Sequence, residues 1–181
     1  ARMLTRRGNR VGAVLYSDSP QAKPQVMSPR RGRRQVLQLL NAIESQGDSS
    51  PADGAGHLTD LSRLLRSADA TVRRRSVIFV VSDFVSTPGW EEALALLARR
   101  HEVVAVRLYD PLERDLPAMG FVVMQDAETG EQLLVDTQDR GFRERFAQMG
   151  QQREAAMRQA CQRAGVDLLE LGRSEEHTSE L

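Results

Sequence analysis

Aromatic residues, cysteine and lysine are all scarce in this 181-residue chain. Aromatics make up only 4% of the residues, so the core must be built from aliphatic side chains. The single cysteine, Cys161, excludes a disulfide framework and any metal site with several cysteine ligands. Lys23 is the only lysine, so arginine supplies nearly all of the positive charge.

Neither sign of charge dominates, because 25 acidic residues balance 25 basic ones. This balance excludes a generic polyanion binder that depends on net charge. No apolar run approaches the ~20 residues that a membrane-spanning helix needs, and we expect a cytoplasmic protein. Hydrophobic residues make up 40% of the chain, enough for the core of one domain.

The two ends of the chain differ from the rest. The first eight residues resemble the last turns of a helix, so we expect further sequence to precede Ala1. Residues 173–181 are polar, have no periodic face and match the translation of a common sequencing adaptor. We therefore assign the domain to residues 1–172 and treat 173–181 as a non-native tail, the alternative being a natural charged tail.

Strand and helix patterns alternate between these ends. Short apolar runs predict buried strands at 11–16, 77–82, 103–108 and 166–171, and a weaker edge strand at 22–27. Helical spacing predicts helices at 34–44, from Thr59 or Asp60 onward, at 88–100 and at 139–164, the last with an inward stripe that includes Met149 and Met157. Residues 121–124 and 132–136 flank a Gly-containing turn and predict a β-hairpin.

This alternation predicts an α/β fold with a doubly wound, mostly parallel sheet, flanking helices and an extra β-hairpin near 119–136. We expect 11–16, 77–82, 103–108 and 166–171 to lie in one sheet. The segment 76–82 is the most hydrophobic of the chain, which favours a central strand buried on both faces.

Polar residues after the predicted strands are the first candidates for a site, because ligands of open α/β sheets bind beyond the carboxyl ends of the strands. They are Ser17, Asp18, Ser82, Asp83 and Asp110, together with the loop that leads to Thr59. Asp83 follows the most buried strand, so it either binds a metal or caps the following turn. Asp110 precedes a proline and favours a turn.

Other candidates are weaker. His57, His101 and His177 show no ligand spacing, which argues against a zinc site. Cys161 lies inside a predicted helix and is expected to pack in the core. The arginine runs at 30–34 and 73–75 could contact phosphates, but the scarcity of aromatics favours solvated faces or a protein interface over nucleic acid.

An ordered set of short segments covers nearly the whole chain. They are residues 10–15, 28–34, 58–61, 81–84, 100–106, 110–117 and 164–171. Through these segments, residues 10–171 resemble the bacterial von Willebrand factor A-like proteins known as domain of unknown function fifty-eight. The resemblance implies a von Willebrand factor A-like sheet whose first central strand is missing here, so that 11–16 and 77–82 should not pair with each other.

The same resemblance implies a metal-ion-dependent adhesion site for Mg²⁺ or Mn²⁺. Thr59 would be its threonine ligand, and Asp83 would be its aspartate, acting through water. Hydroxyl, carboxylate and water oxygens suit such hard divalent ions. The family's Asp-x-Ser-x-Ser loop is absent from this sequence, and we expect it upstream of Ala1.

The function that the resemblance implies is a non-enzymatic, metal-dependent protein-binding module. Its implied partner is a MoxR-type AAA+ ATPase or a client of that ATPase, in protein assembly or maturation. One alternative is a Mg²⁺-dependent phosphatase or hydrolase that uses Asp83 and Asp110, although the sequence offers no convincing general base. A second alternative is nucleic-acid binding through the arginine runs.

Overall fold

The computed structural model describes residues 8–16, 24–47, 60–113, 116–125 and 132–172. Helices and strands follow one another along these residues in a mixed α/β order. They are β1 (Val11–Leu15), β2 (Gln25–Arg30), α1 (Arg33–Gly47), α2 (Leu61–Thr71), β3 (Val77–Ser82), α3 (Trp90–Arg100), β4 (Glu102–Tyr109), a 3₁₀ turn (Pro111–Glu113), β5 (Phe121–Gln125), β6 (Gln132–Asp136), α4 (Arg140–Ala164) and β7 (Asp167–Gly172).

Three strands form a parallel sheet in the order β3-β4-β7. Val80 of β3 pairs with Ala105 of β4, which pairs with Leu168 of β7. Each strand is separated from the next by a helix, as parallel crossovers require. The predicted α/β class with a parallel sheet and flanking helices is therefore confirmed.

The core lies on one face of this sheet. Val80 and Ala105 are buried there against α2, α3 and α4. The fully buried side chains that the helices contribute are Leu61, Leu65, Leu94, Leu97 and Cys161. Cys161 thus packs in the core, as predicted, and the aliphatic composition of the cluster matches the scarcity of aromatics.

The opposite face of the parallel sheet is exposed along the outer strands β3 and β7, whereas Val106 of the central strand β4 is buried on it. Val77, Phe79 and Val81 of β3 are 54%, 51% and 54% exposed, whereas Val80 between them is only 5% exposed. Residues of the neighbouring strands on this face are also exposed: Leu108, Leu169 and Leu171. We call this surface the open sheet face, and define it by these six residues.

The open sheet face corrects two predictions. Within the described residues, β3 pairs only with β4, so it is an edge strand and not a central strand buried on both faces. The apolar run of β3 places hydrophobic residues on both faces of the strand, so the sequence does not show that only one face is covered. The doubly wound arrangement with helices on both faces is not confirmed.

Strands β1 and β2 form a separate antiparallel pair, so no hydrogen-bonded strand among the described residues joins β1 to the sheet of β3, β4 and β7. β1 is not hydrogen-bonded to β3 in the part of the chain that is described, as expected. The register shifts between Val11 and Ala13, which places Gly12 in a bulge. The buried Gln35 amide of α1 donates to the Val11 and Ser28 carbonyls, both at 3.1 Å, and ties α1 to this pair.

The predicted hairpin is confirmed, because β5 and β6 pair antiparallel, with Val123 opposite Leu134. Helix α4 begins after the N-cap Asp139 and ends at Gly165, whose φ of 67° is left-handed. Met157 is buried as predicted, but Met149 is exposed. All buried residues of α4 lie in its second half, so the inward-facing stripe begins only after Met149.

Candidate functional site

The C-terminal ends of β3, β4 and β7 lie at one edge of the parallel sheet, which we call the C-terminal edge. Ser82 ends β3 and is followed by Asp83, while Asp110 follows β4. This is the edge at which ligands of open α/β sheets bind, because the connecting loops leave a crevice there. Three of the candidate residues, Ser82, Asp83 and Asp110, therefore lie at the edge where this fold binds ligands.

Hydrogen bonds from its own side chains shape the loop that follows β3. Asp83 Oδ1 accepts from the Val85 N–H at 3.0 Å and from the Ser82 hydroxyl at 3.2 Å. Ser82 Oγ accepts from the Phe84 N–H at 3.0 Å. Asp83 thus stabilises a turn, which is one of its two predicted roles, and its exposure leaves the carboxylate accessible to a cation.

Phe84 holds a strained backbone conformation in this loop. Its φ is 62°, and among the described residues it is the only non-glycine with a positive φ. Such a conformation costs about 1–3 kcal/mol and persists only where packing enforces it. The Phe84 ring is buried and meets Trp90 edge-on, with centroids 5.4 Å apart. Strain of this kind concentrates at functional sites, so Phe84 marks the Asp83 loop as the leading candidate.

The same loop is joined to the start of α2. The Leu61 N–H donates to Ser86 Oγ at 3.0 Å, and Asp60 caps α2 by accepting from the Arg63 N–H at 3.0 Å. Thr59, the predicted threonine ligand, lies outside the described residues, but it directly precedes this cap. Ser17 and Asp18 also lie outside the described residues. The contact brings the loop that carries Asp83 beside the segment that follows Thr59.

Asp110 has the turn geometry predicted for it. Its Oδ1 accepts from the Leu112 N–H at 2.9 Å and so starts the 3₁₀ turn Pro111–Glu113. Within the described residues, no group of three or more His, Cys, Asp or Glu side chains could hold a metal ion. The described ligands at the C-terminal edge therefore do not form a metal centre by themselves.

A closed ring of four charges on the covered face was not predicted from the sequence. Arg107 lies 3.6 Å from Glu154 and 3.3 Å from Glu170, and Arg158 lies 2.8 Å from Glu154 and also contacts Glu170. The hydrogen-bonded carboxylate of Glu154, followed by the charge of Glu170, raises the pKa of Arg158. The ring joins α4 to β4 and β7 beside the C-terminal edge.

The ring has one sequence signal that could have revealed it. Arg107 and Glu170 interrupt otherwise apolar strands, and they are directly paired in register. A charge at an inward strand position needs a partner of opposite sign, because burying it alone is costly. The Arg107 guanidinium also lies 5.3 Å from the Tyr109 ring centroid, a cation–π distance.

Two further candidate groups, Cys161 and His101, are buried. Burial raises the pKa of the Cys161 thiol, which keeps it protonated and unreactive at neutral pH. Both ring nitrogens of the buried His101 have no hydrogen-bond partner. A shallow groove of about 270 Å³ lies between α4 and β7, with Arg158, Gln162 and Glu170 among its lining. The arginines at 73–75 are exposed, as expected of a solvated face.

Comparison with known proteins gives one family. The family described as "Protein of unknown function DUF58" matches residues 1–156. Uncharacterized proteins of Mycobacterium bovis and Mycobacterium tuberculosis are each 30% identical over 166 residues, covering 91% of this chain and 49% of their own length. An uncharacterized protein of Mycobacterium avium is 32% identical over 144 residues, covering 78% of this chain and 81% of its own.

The chain therefore spans about half the length of the Mycobacterium bovis and Mycobacterium tuberculosis relatives. Among solved structures, a conserved hypothetical protein BatB from Bacteroides thetaiotaomicron aligns with a TM-score of 0.47 and 14% identity, covering 91% of this chain and 72% of that one. In the described part of the chain, no helix combines the length and the apolar character that crossing a membrane requires.

Proposed function

The chain belongs to the DUF58 family, whose function is unknown, and on that premise we propose that it is a non-enzymatic, metal-dependent protein-binding module. In this proposal the domain has a von Willebrand factor A-like fold and binds Mg²⁺ or Mn²⁺ at the C-terminal edge. Asp83 and Thr59 contribute to the metal site. A carboxylate of the partner protein completes the coordination of the metal, so the metal serves recognition and not catalysis.

The observation that supports this proposal is the junction of the Asp83 loop with the start of α2. An exposed carboxylate follows a parallel strand, a buried and strained Phe84 fixes its loop, and the bond from Leu61 N–H to Ser86 Oγ holds α2 beside it. A rigid loop of this kind can present oxygen ligands without reorganising when the cation arrives. Mg²⁺ demands near-octahedral geometry, which rewards such rigidity.

Thr59 and Asp83 are too few ligands to hold a divalent ion by themselves. Thr59 would supply one neutral hydroxyl and Asp83 one carboxylate acting through water, and Mg²⁺ gives up its own waters reluctantly. Two such ligands do not hold the ion against solvent. The proposal therefore requires the carboxylate and hydroxyls of an Asp-x-Ser-x-Ser loop, which this sequence does not contain.

The partner in this proposal is a MoxR-type AAA+ ATPase, or a client of that ATPase, in the cytoplasm. This assignment rests on the family resemblance alone. A metal-bridged contact would make the association sensitive to chelators, which distinguishes it from a contact that depends on apolar surface only.

Calorimetric titration with Mg²⁺ and Mn²⁺ tests the metal site. The chain as given should bind either ion weakly, and a longer form with an upstream Asp-x-Ser-x-Ser loop should bind it well. In that longer form, Asp83→Ala should abolish binding, and Thr59→Ala should weaken it roughly tenfold, about 1.4 kcal/mol. Asp110→Asn is the matched control, because Asp110 lies at the same edge but has no metal role here.

A second arm tests the binding function. A purified MoxR-type ATPase without nucleotide should bind the longer form in Mn²⁺ and release it in EDTA, and Asp83→Ala should prevent binding. Undiminished binding by the Asp83 variant, or tight metal binding by the chain as given, contradicts the proposal. Hydrolysis of p-nitrophenyl phosphate that needs both Asp83 and Asp110 would instead favour a phosphatase.

A further inference from the structure

Helix α1 begins inside a dense group of arginines. Arg30 is the cross-strand partner of Val11, so Arg10 lies beside it, and Gly32, with a φ of 94°, turns the chain from β2 into α1. The group therefore lies at one end of the unit formed by β1, β2 and α1. We call it the arginine patch, and all of its members are exposed: Arg10, Arg30, Arg31, Arg33 and Arg34.

The charge of the arginine patch is not compensated by the residues around it. Within the described part of the chain, none of these arginines forms an ion pair. Residues 8–16 and 24–47 contain the five arginines of the patch and a single acidic residue, Glu44. Because the whole chain has a formal net charge of zero, the rest of it is net negative. Such a local concentration of positive charge selects an anionic partner.

Helix α1 also exposes aliphatic side chains. Leu37, Leu40 and Ile43 are 49%, 50% and 54% exposed. Leu37 and Leu40 lie on the side of the helix opposite the buried Gln35, and Ile43 extends this side by one further turn. We call these three residues the aliphatic stripe. Arg33 precedes Leu37 by four residues, so the arginine patch and the aliphatic stripe are continuous along the helix.

A partner that satisfies both features must be anionic and apolar at once. We propose that the arginine patch and the aliphatic stripe dock α1 on the surface of a membrane that contains anionic lipids. Amphipathic helices bind membranes in this manner, with aliphatic side chains at the boundary of the acyl chains and basic side chains among the headgroups. The helix lies along the surface in this arrangement and does not cross the bilayer. This inference does not rest on the proposed function.

Two other anionic partners fit this surface less well. Nucleic acid would contact the arginines but leave the aliphatic stripe in water. It would also lack a stacking platform, because Tyr16, the one aromatic residue within 8–16 and 24–47, already lies 6.0 Å from the guanidinium of Arg63 in α2. An acidic peptide helix would need a groove for its apolar contacts, whereas the aliphatic stripe stands on the convex side of a helix.

Co-sedimentation of the chain as given with lipid vesicles tests the docking. Vesicles of phosphatidylcholine and phosphatidylglycerol should bind the chain, vesicles of phosphatidylcholine alone should not, and high salt should release it. Arg30→Gln with Arg31→Gln should weaken binding roughly thirtyfold. Arg73→Gln with Arg74→Gln is the matched control, because these arginines are exposed outside the patch, and binding should stay within about twofold of the wild type.

The aliphatic stripe distinguishes a membrane from other anionic partners. Leu37→Ser with Leu40→Ser should weaken vesicle binding at least about tenfold. Leu96→Ser with Leu169→Ser is the matched control, because both leucines are 53% exposed but lie outside α1, and this variant should bind like the wild type.

Glu44→Gln gives a readout that misfolding does not imitate. Removing the one acidic side chain of α1 should tighten binding to anionic vesicles about fivefold. Equal binding to neutral vesicles overturns the proposal, as does a loss of binding in the Leu96 and Leu169 variant but not in the Leu37 and Leu40 variant. Tighter binding to a single-stranded RNA oligonucleotide or to a polyglutamate peptide than to anionic vesicles also overturns it.

Discussion

Two glutamate–arginine pairs of α4 show how burial sets the energy of an ion pair. Glu154 and Glu144 both form i,i+4 pairs with an arginine on α4, but their surroundings differ. Glu154 is buried and serves both Arg107 and Arg158, whereas the Arg140–Glu144 pair is exposed to water. The same pairing geometry should therefore have two very different energies.

We predict that Glu154→Ala destabilises the chain by about 2–3 kcal/mol, because it leaves the largely buried Arg107 with less compensation. Glu144→Ala should cost less than about 0.5 kcal/mol, as exposed ion pairs contribute little. Urea denaturation of both variants measures the difference. Equal losses would show that the charge ring does not stabilise the packing of α4 on the sheet.

The Cys161 thiol gives a pH-dependent prediction. Its pKa is raised by burial in the folded chain, so the folded state resists ionisation of the thiol more than the unfolded state does. The contribution of the protonated thiol to the free energy of unfolding is fully present below the pKa of the thiol in the unfolded chain, about 8.5. It is lost as the pH rises through the higher pKa of the thiol in the folded chain. Cys161→Ala should flatten the stability curve above that pH, and an unchanged alkaline slope would contradict this assignment.

Elements were predicted well where one local pattern decides them. The pairing of β5 with β6, the start of α2 and the end of α4 each follow from a few adjacent residues, and each is confirmed. The turn of the hairpin lies outside the described residues. The predicted strand at 22–27 instead lies at Gln25–Arg30, because its register is fixed by pairing with β1 and by the bulge at Gly12. The site position Asp83 followed from the end of a strand. The Arg107 contacts with Glu154 and Glu170 join residues 47 and 63 positions apart, so local spacing could flag Arg107 as a charge that needs a partner but could not identify Glu154 as that partner.

The bulge at Gly12 supplies a prediction for the β1–β2 pair. A Cβ at this position would lie 2.6 Å from the Met27 carbonyl oxygen and 3.0 Å from Pro29 N, both rigid backbone atoms. Gly12→Ala should therefore cost about 1–3 kcal/mol and expose the β1–β2 pair to proteolysis. At Gly141, a new Cβ would meet only side-chain atoms, so Gly141→Ala is the control and should retain wild-type stability. A protease-resistant Gly12→Ala variant would contradict the described register.

The whole molecule has an asymmetric parallel sheet. One face carries the core, while the open sheet face exposes six apolar residues. Parallel sheets are found almost only with both faces covered, since each face is hydrophobic. The open sheet face is therefore an unusual surface for a parallel sheet, and its exposure favours binding of hydrophobic dyes and aggregation.

Substitutions of Val80 and Val81, which are adjacent in β3 and face opposite sides of the sheet, test this asymmetry. Threonine replaces valine with nearly the same shape and the same β-branching, so it changes mainly the polarity at the site. Val80→Thr places a hydroxyl in the core and should cost about 1–3 kcal/mol, whereas Val81→Thr should leave stability within about 0.5 kcal/mol and reduce dye binding. Thermal and urea denaturation, with dye fluorescence of the native chains, give both readouts. If Val81→Thr destabilises as much as Val80→Thr, the second face is covered in solution, and the chain packs as a doubly wound sheet after all.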